Sequence, residues 1–397
     1  MDKYINLDRI QELLSQLISI PSPYFKEEEV MNFAYNWLKD RKVPVEYHRY
    51  YEKKMFNYDG INVIGSIKGK RQGPKILLNG HLDTVQLCEG WTRDPFKATI
   101  EGNKLYGLGA VDMKAGSAGI MIAIEAFIKT VDDFKGEILY TLVSDEEGPY
   151  GLGTDALIVD GLTEGVDVAI VTEPSSGFTN TKFPCLCLGA RGGFSYTVEL
   201  LGKAAHAANP EYGINAISDA AKVMMELEKS NLTAHEKLGK GSICIIGAEG
   251  GGAACSVADK ASFSVFRHVV PGEDEEYVRN EVKEAIERAD IQSKTNIKFR
   301  EGTHSDNACF APYVVSEEDK FTKVIQNSIK DVTGEEGTIR YFSSIGDFNY
   351  LGSRVKVPTF VFGPDGGNHH TADEYVEMDT VVDTAKVIYD FLLKVLT

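Results

Sequence analysis

A histidine and an aspartate two residues apart, His81 and Asp83, close the stretch Asn79-Gly80-His81-Leu82-Asp83, which follows the apolar run Ile76-Leu77-Leu78. An apolar run bounded by Pro74 and Gly80 predicts a buried strand, along which side chains alternate between faces. If strand geometry persists, His81 and Asp83 project to the same side. A carboxylate beside an imidazole can hold one ring nitrogen and leave the other for a metal. Taken alone, the pair reads equally well as a packed histidine bonded to its neighbour. Asp145-Glu146-Glu147 and Glu173-Pro174-Ser175 bring further carboxylates, each just beyond a strand-like run, Glu137 to Ser144 and Val168 to Thr172. A solvated acidic turn would account for the first group and an ordinary loop for the second. Asp112 stands before a helical pattern, where it could serve as an N-cap.

The elements that must position these residues follow from periodicity. Leu7, Ile10, Leu13, Leu14 and Leu17 recur at helical spacing. A second helix has Glu27, Glu28 and Glu29 in its first turn, where carboxylates suit the dipole, and Val30, Phe33, Trp37 and Leu38 as its stripe. Strands are expected near Asn62 to Ile67 and Lys75 to Asn79, a hairpin around Glu101-Gly102-Asn103, and a helix from about Ser117 to Ile128. Strands alternating with helices predict a mainly parallel α/β sheet, in which ligands bind beyond the carboxyl ends of the strands. His81, Glu146, Glu147 and Glu173 all fall there. That shared placement is the first argument for a single site.

After about Leu188 the pattern changes. Strands at Phe194 to Leu201, Ser242 to Ala248, Ala261 to His268 and Ile297 to Phe299 are interleaved with helices at Ile214 to Leu227 and Glu273 to Arg288. This is the order of a ferredoxin-like α+β domain, read here as an insertion over residues 189–303. The α/β pattern resumes near Lys320 and closes with a helix from Thr380 to Val395, so residues 1–188 and 304–397 form the other domain. Gly247-Ala248-Glu249-Gly250-Gly251-Gly252 reads as a loop, and without a following helix and lysine it makes a poor phosphate cradle.

At 397 residues the chain is too long for one ordinary core, which agrees with two domains. A formal net charge of −17 argues against nucleic acid and anionic membranes as partners. No apolar run approaches the roughly 20 residues that a bilayer requires. Met1-Asp2-Lys3-Tyr4 lacks a basic segment followed by an apolar signal core, so a cytoplasmic location is expected. Six cysteines without CxxC pairing read as reduced thiols.

Five segments in order, His81-Leu82-Asp83, Gly109-Ala110-Val111-Asp112-Met113-Lys114, Glu146-Glu147-Gly148, Glu173-Pro174-Ser175 and His370-Thr371-Ala372-Asp373-Glu374, resemble the M20 family of zinc-dependent amidohydrolases and exopeptidases. The resemblance spans essentially the whole chain and implies a zinc-exopeptidase-like catalytic domain with an inserted lid. It implies two zinc ions, with cobalt or manganese as substitutes. His81 and Glu173 would hold one, Glu147 and His370 the other, and Asp112 would bridge them. Between His369 and His370, only the family spacing to Glu374 selects His370. Asp83 would orient His81, and Glu146 would be the general base acting on a metal-bridging water. Gly202-Lys203-Ala204-Ala205-His206 resembles the lid motif whose histidine, His206 here, stabilises the oxyanion, and Arg267 resembles an arginine that clasps a substrate carboxylate. Two departures, Val265 where an aspartate is common and Cys255 where an asparagine is common, bear on that clasp.

The function expected is hydrolysis of an amide bond in a small carboxylate-bearing substrate, an N-acyl amino acid or a short peptide. A dipeptidase or N-carbamoyl amino acid hydrolase is the alternative among enzymes, and a catalytically silent binding homologue the alternative outside them. The resemblance also implies a homodimer formed through the lid.

Overall fold

The computed structural model describes residues 2–397. Two compact units divide the chain. One runs through Gly189 and resumes at Val314–Phe342 and Gly346–Thr397; the other is Ala190–Tyr313 with Ser343–Ile345.

The first unit is built on a mixed sheet, ordered Glu46–Glu52, Tyr58–Lys68, Lys135–Val143, Arg71–His81, Val168–Val171, Thr359–Val361 and Cys185–Ala190. Its four middle strands, Lys135–Val143 through Thr359–Val361, are parallel, and the flanking pairs are antiparallel. Parallel strands covered on both faces form nearly continuous apolar runs. Val168–Val171 is buried at every position, and Ile76, Leu77 and Leu78 are fully buried. In register, His81 pairs with Val143 and Asn79 with Val171, so three neighbouring strands end at nearly one level.

The covering helices follow their sequence patterns. Leu7–Ile18 buries Ile10, Leu13, Leu14, Leu17 and Ile18, with Asn6 capping its start by accepting from the Arg9 N–H. Leu7, expected in the stripe, is exposed at the helix entrance. In Glu28–Asp40 the buried stripe is Val30, Met31, Ala34, Trp37 and Leu38; Phe33 is half-buried. Glu27, expected in the first turn, instead stands at the N-cap position just before the helix and is buried. It is 1% exposed, and its oxygens accept from the Phe25 and Asp145 N–H groups and the Tyr58 hydroxyl. Ala115–Thr130 is buried from Ala115 to Phe127, and packs against the closing helix Met378–Leu396. The strand Glu46–Glu52 lacked a sequence signal because its burial pattern barely alternates at the sheet edge.

The second unit has a four-stranded antiparallel sheet ordered Ser242–Gly251, Lys260–Val269, Gly192–Leu201, Lys294–Phe299. Helices Ala216–Leu227 and Glu275–Ala289 supply Ala216, Ala220, Val223, Leu227, Val278, Val282 and Ala285 to its core. This is the ferredoxin-like arrangement. The unit continues past residue 303 to Tyr313, because Gly193 and Phe310 pair backbone to backbone. The glycine-rich stretch also differs from expectation. Gly247 to Gly251 continue the strand past a bulge between Ile245 and Gly247, an edge position where glycine is tolerated.

Candidate metal centre

Each carboxyl end of the four parallel strands delivers a site residue. His81 ends its strand; Glu146 and Glu147 follow Val143, Glu173 follows Val171, and His370 lies on the segment after Val361. Asp112 arrives from the turn before the helix Ala115–Thr130. Its carboxylate places one oxygen on each side of the cluster. Oδ1 is 3.5 Å from His81 Nε2, and Oδ2 is 3.1 Å from His370 Nε2. Glu173 Oε1 lies 3.4 Å from the same His81 nitrogen, and Glu147 Oε2 lies 3.0 Å from His370 Nε2. Two donor sets thus meet at one shared carboxylate.

The atoms fit a pair of metal ions. Ligands about 2.0–2.1 Å from a tetrahedral zinc stand roughly 3.3 Å from one another, the range these contacts occupy. His81 is completely buried, yet its Nε2 has no hydrogen-bond partner. Its Nδ1 faces the Asp83 carbonyl at 3.0 Å and Asp83 Oδ1 at 3.4 Å. Because a carbonyl only accepts, Nδ1 carries the proton and Nε2 presents its lone pair to the cluster. Asp83 does more than steady one imidazole, since its Oδ2 accepts from the Glu147 N–H at 2.9 Å.

Crowding of buried carboxylates shows in their proton affinities. Burial and the Asp112 charge push Glu147 up to about 7 and Glu173 up to about 8. Burial, with Glu173 beside it, raises Glu146 well above the carboxylate range. For Asp112 burial works in the same direction, but the imidazoles of His370 and His81 beside it outweigh it and hold the group below its ordinary value. Dications at the cluster would neutralise this excess of negative charge.

Supports beneath the cluster include two residues without a catalytic signature. Glu374, 2% exposed, accepts from the N–H groups of Gly109, Val111 and Asp112, and so fixes the turn that presents Asp112. Lys114, also buried, donates to the carbonyls of Leu17 and Ile20 at the end of the first helix. Burial lowers its pKa to about 7. The neighbouring histidines separate clearly: His370 turns to Asp112 and Glu147, while His369 lies against the Phe178 ring, 4.6 Å between centroids.

Both remaining candidates belong to the inserted unit. His206 is exposed, and its Nδ1 accepts from the Ala208 N–H. Arg267 corrects the sequence expectation. Alternation along Lys260–Val269 buries Ala261, Phe263, Val265, Arg267 and Val269 on one face, so Arg267 points into the core. It is 0% exposed, with Nε and Nη2 donating to Glu281, Nη2 also to Glu273, and Nη1 to the His268 carbonyl. Donors committed to two buried glutamates are not available to clasp a substrate.

The model of Peptidase family M20/M25/M40 matches residues 77–394, which is most of the chain. This protein belongs to the M20 family. The M20 chain is 28% identical over 335 residues to a succinyl-diaminopimelate desuccinylase of Pseudomonas syringae pv. syringae, covering 83% of this chain and 84% of that relative. In fold it is similar to aminopeptidase PepT from Bacillus cereus (TM-score 0.80, 20% identity, 99% of each chain covered). It is likewise similar to the Bacillus subtilis YXEP protein, a dinuclear metal binding peptidase (TM-score 0.71, 16% identity, 99% of each chain covered). The M20 chain is a hydrolase acting on amide or peptide bonds. Among its described residues no helix is long and apolar enough to cross a membrane.

Proposed function

We propose that this M20 enzyme uses two zinc ions to hydrolyse the amide bond of a small carboxylate-bearing substrate, an N-acyl amino acid or a short peptide. The observation that carries the reading is the divided Asp112 carboxylate, one oxygen toward His81 and the other toward His370. His81 and Glu173 would hold one ion, Glu147 and His370 the other, and Asp112 both; cobalt or manganese suits the same donors. Zinc so held supplies Lewis acidity toward the scissile carbonyl and lowers the pKa of water.

The chain's own residues supply the rest. Glu146 has one oxygen 3.8 Å from His81 Nε2, beside the cluster, and the other accepts from the Asp347 N–H at 3.1 Å. In this role Oε2 takes the proton of the attacking water and returns it to the leaving nitrogen. Asp83 keeps His81 in the required tautomer while tethering the Glu147 backbone. His206 is retained as the donor to the oxyanion, a role its exposure permits. A homodimer is supported by the open edge strand Ser242–Gly251, which carries Ile246 at 60% exposure. Six unpaired cysteines agree with a reducing, cytoplasmic setting.

The desuccinylase relatives and the PepT neighbour define the substrate classes to compare. Zinc-loaded protein would be incubated with N-succinyl, N-acetyl and N-carbamoyl amino acids and with di- and tripeptides, and products read by mass spectrometry. Glu146→Gln should keep two zinc ions per chain and lose turnover by about 100-fold or more. Undiminished turnover in that variant would remove Glu146 as the base.

A further inference from the structure

The Glu146 carboxylate is held from behind by a segment more than two hundred positions later in sequence. Glu146 Oε1 accepts from the backbone N–H of Asp347. Asp347 is 1% exposed, and its Oδ2 accepts from the Thr154 hydroxyl. The Thr154 oxygen in turn accepts from Asn79 Nδ2 at 3.2 Å, and Asn79 also donates to Thr141 at 3.1 Å. Asn79 and Thr141 are paired residues of adjacent parallel strands. A continuous hydrogen-bonded chain therefore runs from the middle of the sheet to one oxygen of Glu146.

The same segment is fastened at several further points. Gly346 N–H donates to the Asn349 side chain at 3.1 Å, forming the turn that presents the Asp347 N–H. The Tyr350 hydroxyl donates to the Tyr150 carbonyl, and Arg354 pairs with Asp155, the residue after Thr154. On the other side, the backbone beside Glu146 is tied through Asp145 N–H to Glu27 and through Glu147 N–H to Asp83. Glutamate has three rotatable side-chain bonds, and only its terminal oxygens reach reacting atoms. Fixing Oε1 on the protein side commits Oε2 to the side of the donor cluster.

We propose that Asp347 and Thr154 are positioning residues for Glu146, with Asn79 anchoring them to the sheet. This rests on Glu146 acting as the base. Thr154 contributes through its hydroxyl, which orients the Asp347 side chain and thereby the turn whose N–H holds Glu146. Without that hydroxyl, the buried Asp347 carboxylate would lose its side-chain donor, and its Oδ1 already has no hydrogen-bond partner. The turn would shift to relieve it, and misplacement of a catalytic group by about 1 Å costs up to about 100-fold in rate.

Thr154→Val keeps the side-chain shape and removes the hydroxyl, whereas Thr154→Ser keeps the hydroxyl. With whichever substrate the panel shows to be cleaved, Thr154→Val should lower kcat by about 10- to 100-fold and leave KM within about threefold. Thr154→Ser should restore most of the loss, and all forms should bind two zinc ions per chain. Crystal structures of zinc-loaded wild type and Thr154→Val provide a readout independent of turnover. The Glu146–Asp347 hydrogen bond should be present in the first and lost or shared among rotamers in the second. Should Thr154→Val fail to fold, Asp347→Asn, which keeps the backbone N–H, should show a smaller loss of kcat at unchanged KM. Wild-type kcat in Thr154→Val, equal damage in Thr154→Ser, or an unmoved Glu146 would overturn the positioning role. Full activity in Glu146→Gln would instead overturn the base that it serves.

Discussion

At the scale of single residues, the chain shows how one residue type takes opposite roles according to its neighbours. Buried carboxylates cluster around His81 and His370, which lie within ion-pair reach of Asp112, Glu146, Glu147 and Glu173. Within the inserted unit, by contrast, Arg267 is fully paired with Glu273 and Glu281. Removing one member of a buried ion group strands the others without solvent, at a cost of about 3–5 kcal/mol. Arg267→Met should therefore lower stability by that amount in chemical denaturation while KM of the folded enzyme stays unchanged. Normal stability with a raised KM would instead return Arg267 to the substrate. The sequence reading erred here because Phe266-Arg267-His268 carries the family's arginine type but not its surroundings. Whether a strand arginine faces a ligand or the core depends on the register of the whole strand.

Among elements, close approach between helix and sheet places the candidate ligands Asp112 and Glu173. Gly116, in the first turn of Ala115–Thr130, lies so near the strand end that a Cβ there would meet the Thr172 carbonyl oxygen at 2.1 Å. Thr172 immediately precedes Glu173, and the turn before Gly116 carries Asp112. Gly116→Ala must push these two segments apart, since one obstacle is backbone and cannot rotate away. The expected result is a loss of zinc affinity of about tenfold or more together with lower thermal stability. Unchanged zinc binding in a calorimetric titration would show that the helix shifts without moving either ligand. The glycine itself is visible in sequence as part of Ala115-Gly116-Ser117-Ala118-Gly119, but not its reason. Composition marks a helix able to pack closely; the carbonyl it packs against is 56 residues further on, at Thr172.

For the molecule as a whole, the candidate metal cluster joins segments from residue 81 to residue 370, so the proposed ion binding would be linked to the integrity of the first unit. A ligand that binds only the folded chain stabilises it by about 4 kcal/mol at a thousandfold excess over its Kd. Chelation should lower the melting temperature, and zinc should restore it, with two ions per chain at saturation. An identical melting curve in EDTA and in excess zinc would mean that the cluster is held together by the fold alone. Dimerisation belongs to this scale too. Sedimentation should give twice the chain mass, and Ile246→Lys on the exposed edge strand should shift it toward the monomer; a wild-type monomer would remove that assembly.

The sequence by itself determined the parallel α/β core, the inserted strand–helix–strand–strand–helix–strand unit and the placement of His81, Glu146, Glu147 and Glu173 beyond strand ends. These are consequences of local periodicity, because a buried strand and an amphipathic helix each write their burial into consecutive residues. The resemblance added Asp112 and His370. Tertiary structure alone decided which oxygen of Asp112 faces which histidine, that Glu27 and Arg267 are buried, and that Asp347 reaches Glu146. Such choices depend on partners far apart in the chain, 201 positions for Glu146 and Asp347, and on the desolvation that only packing imposes.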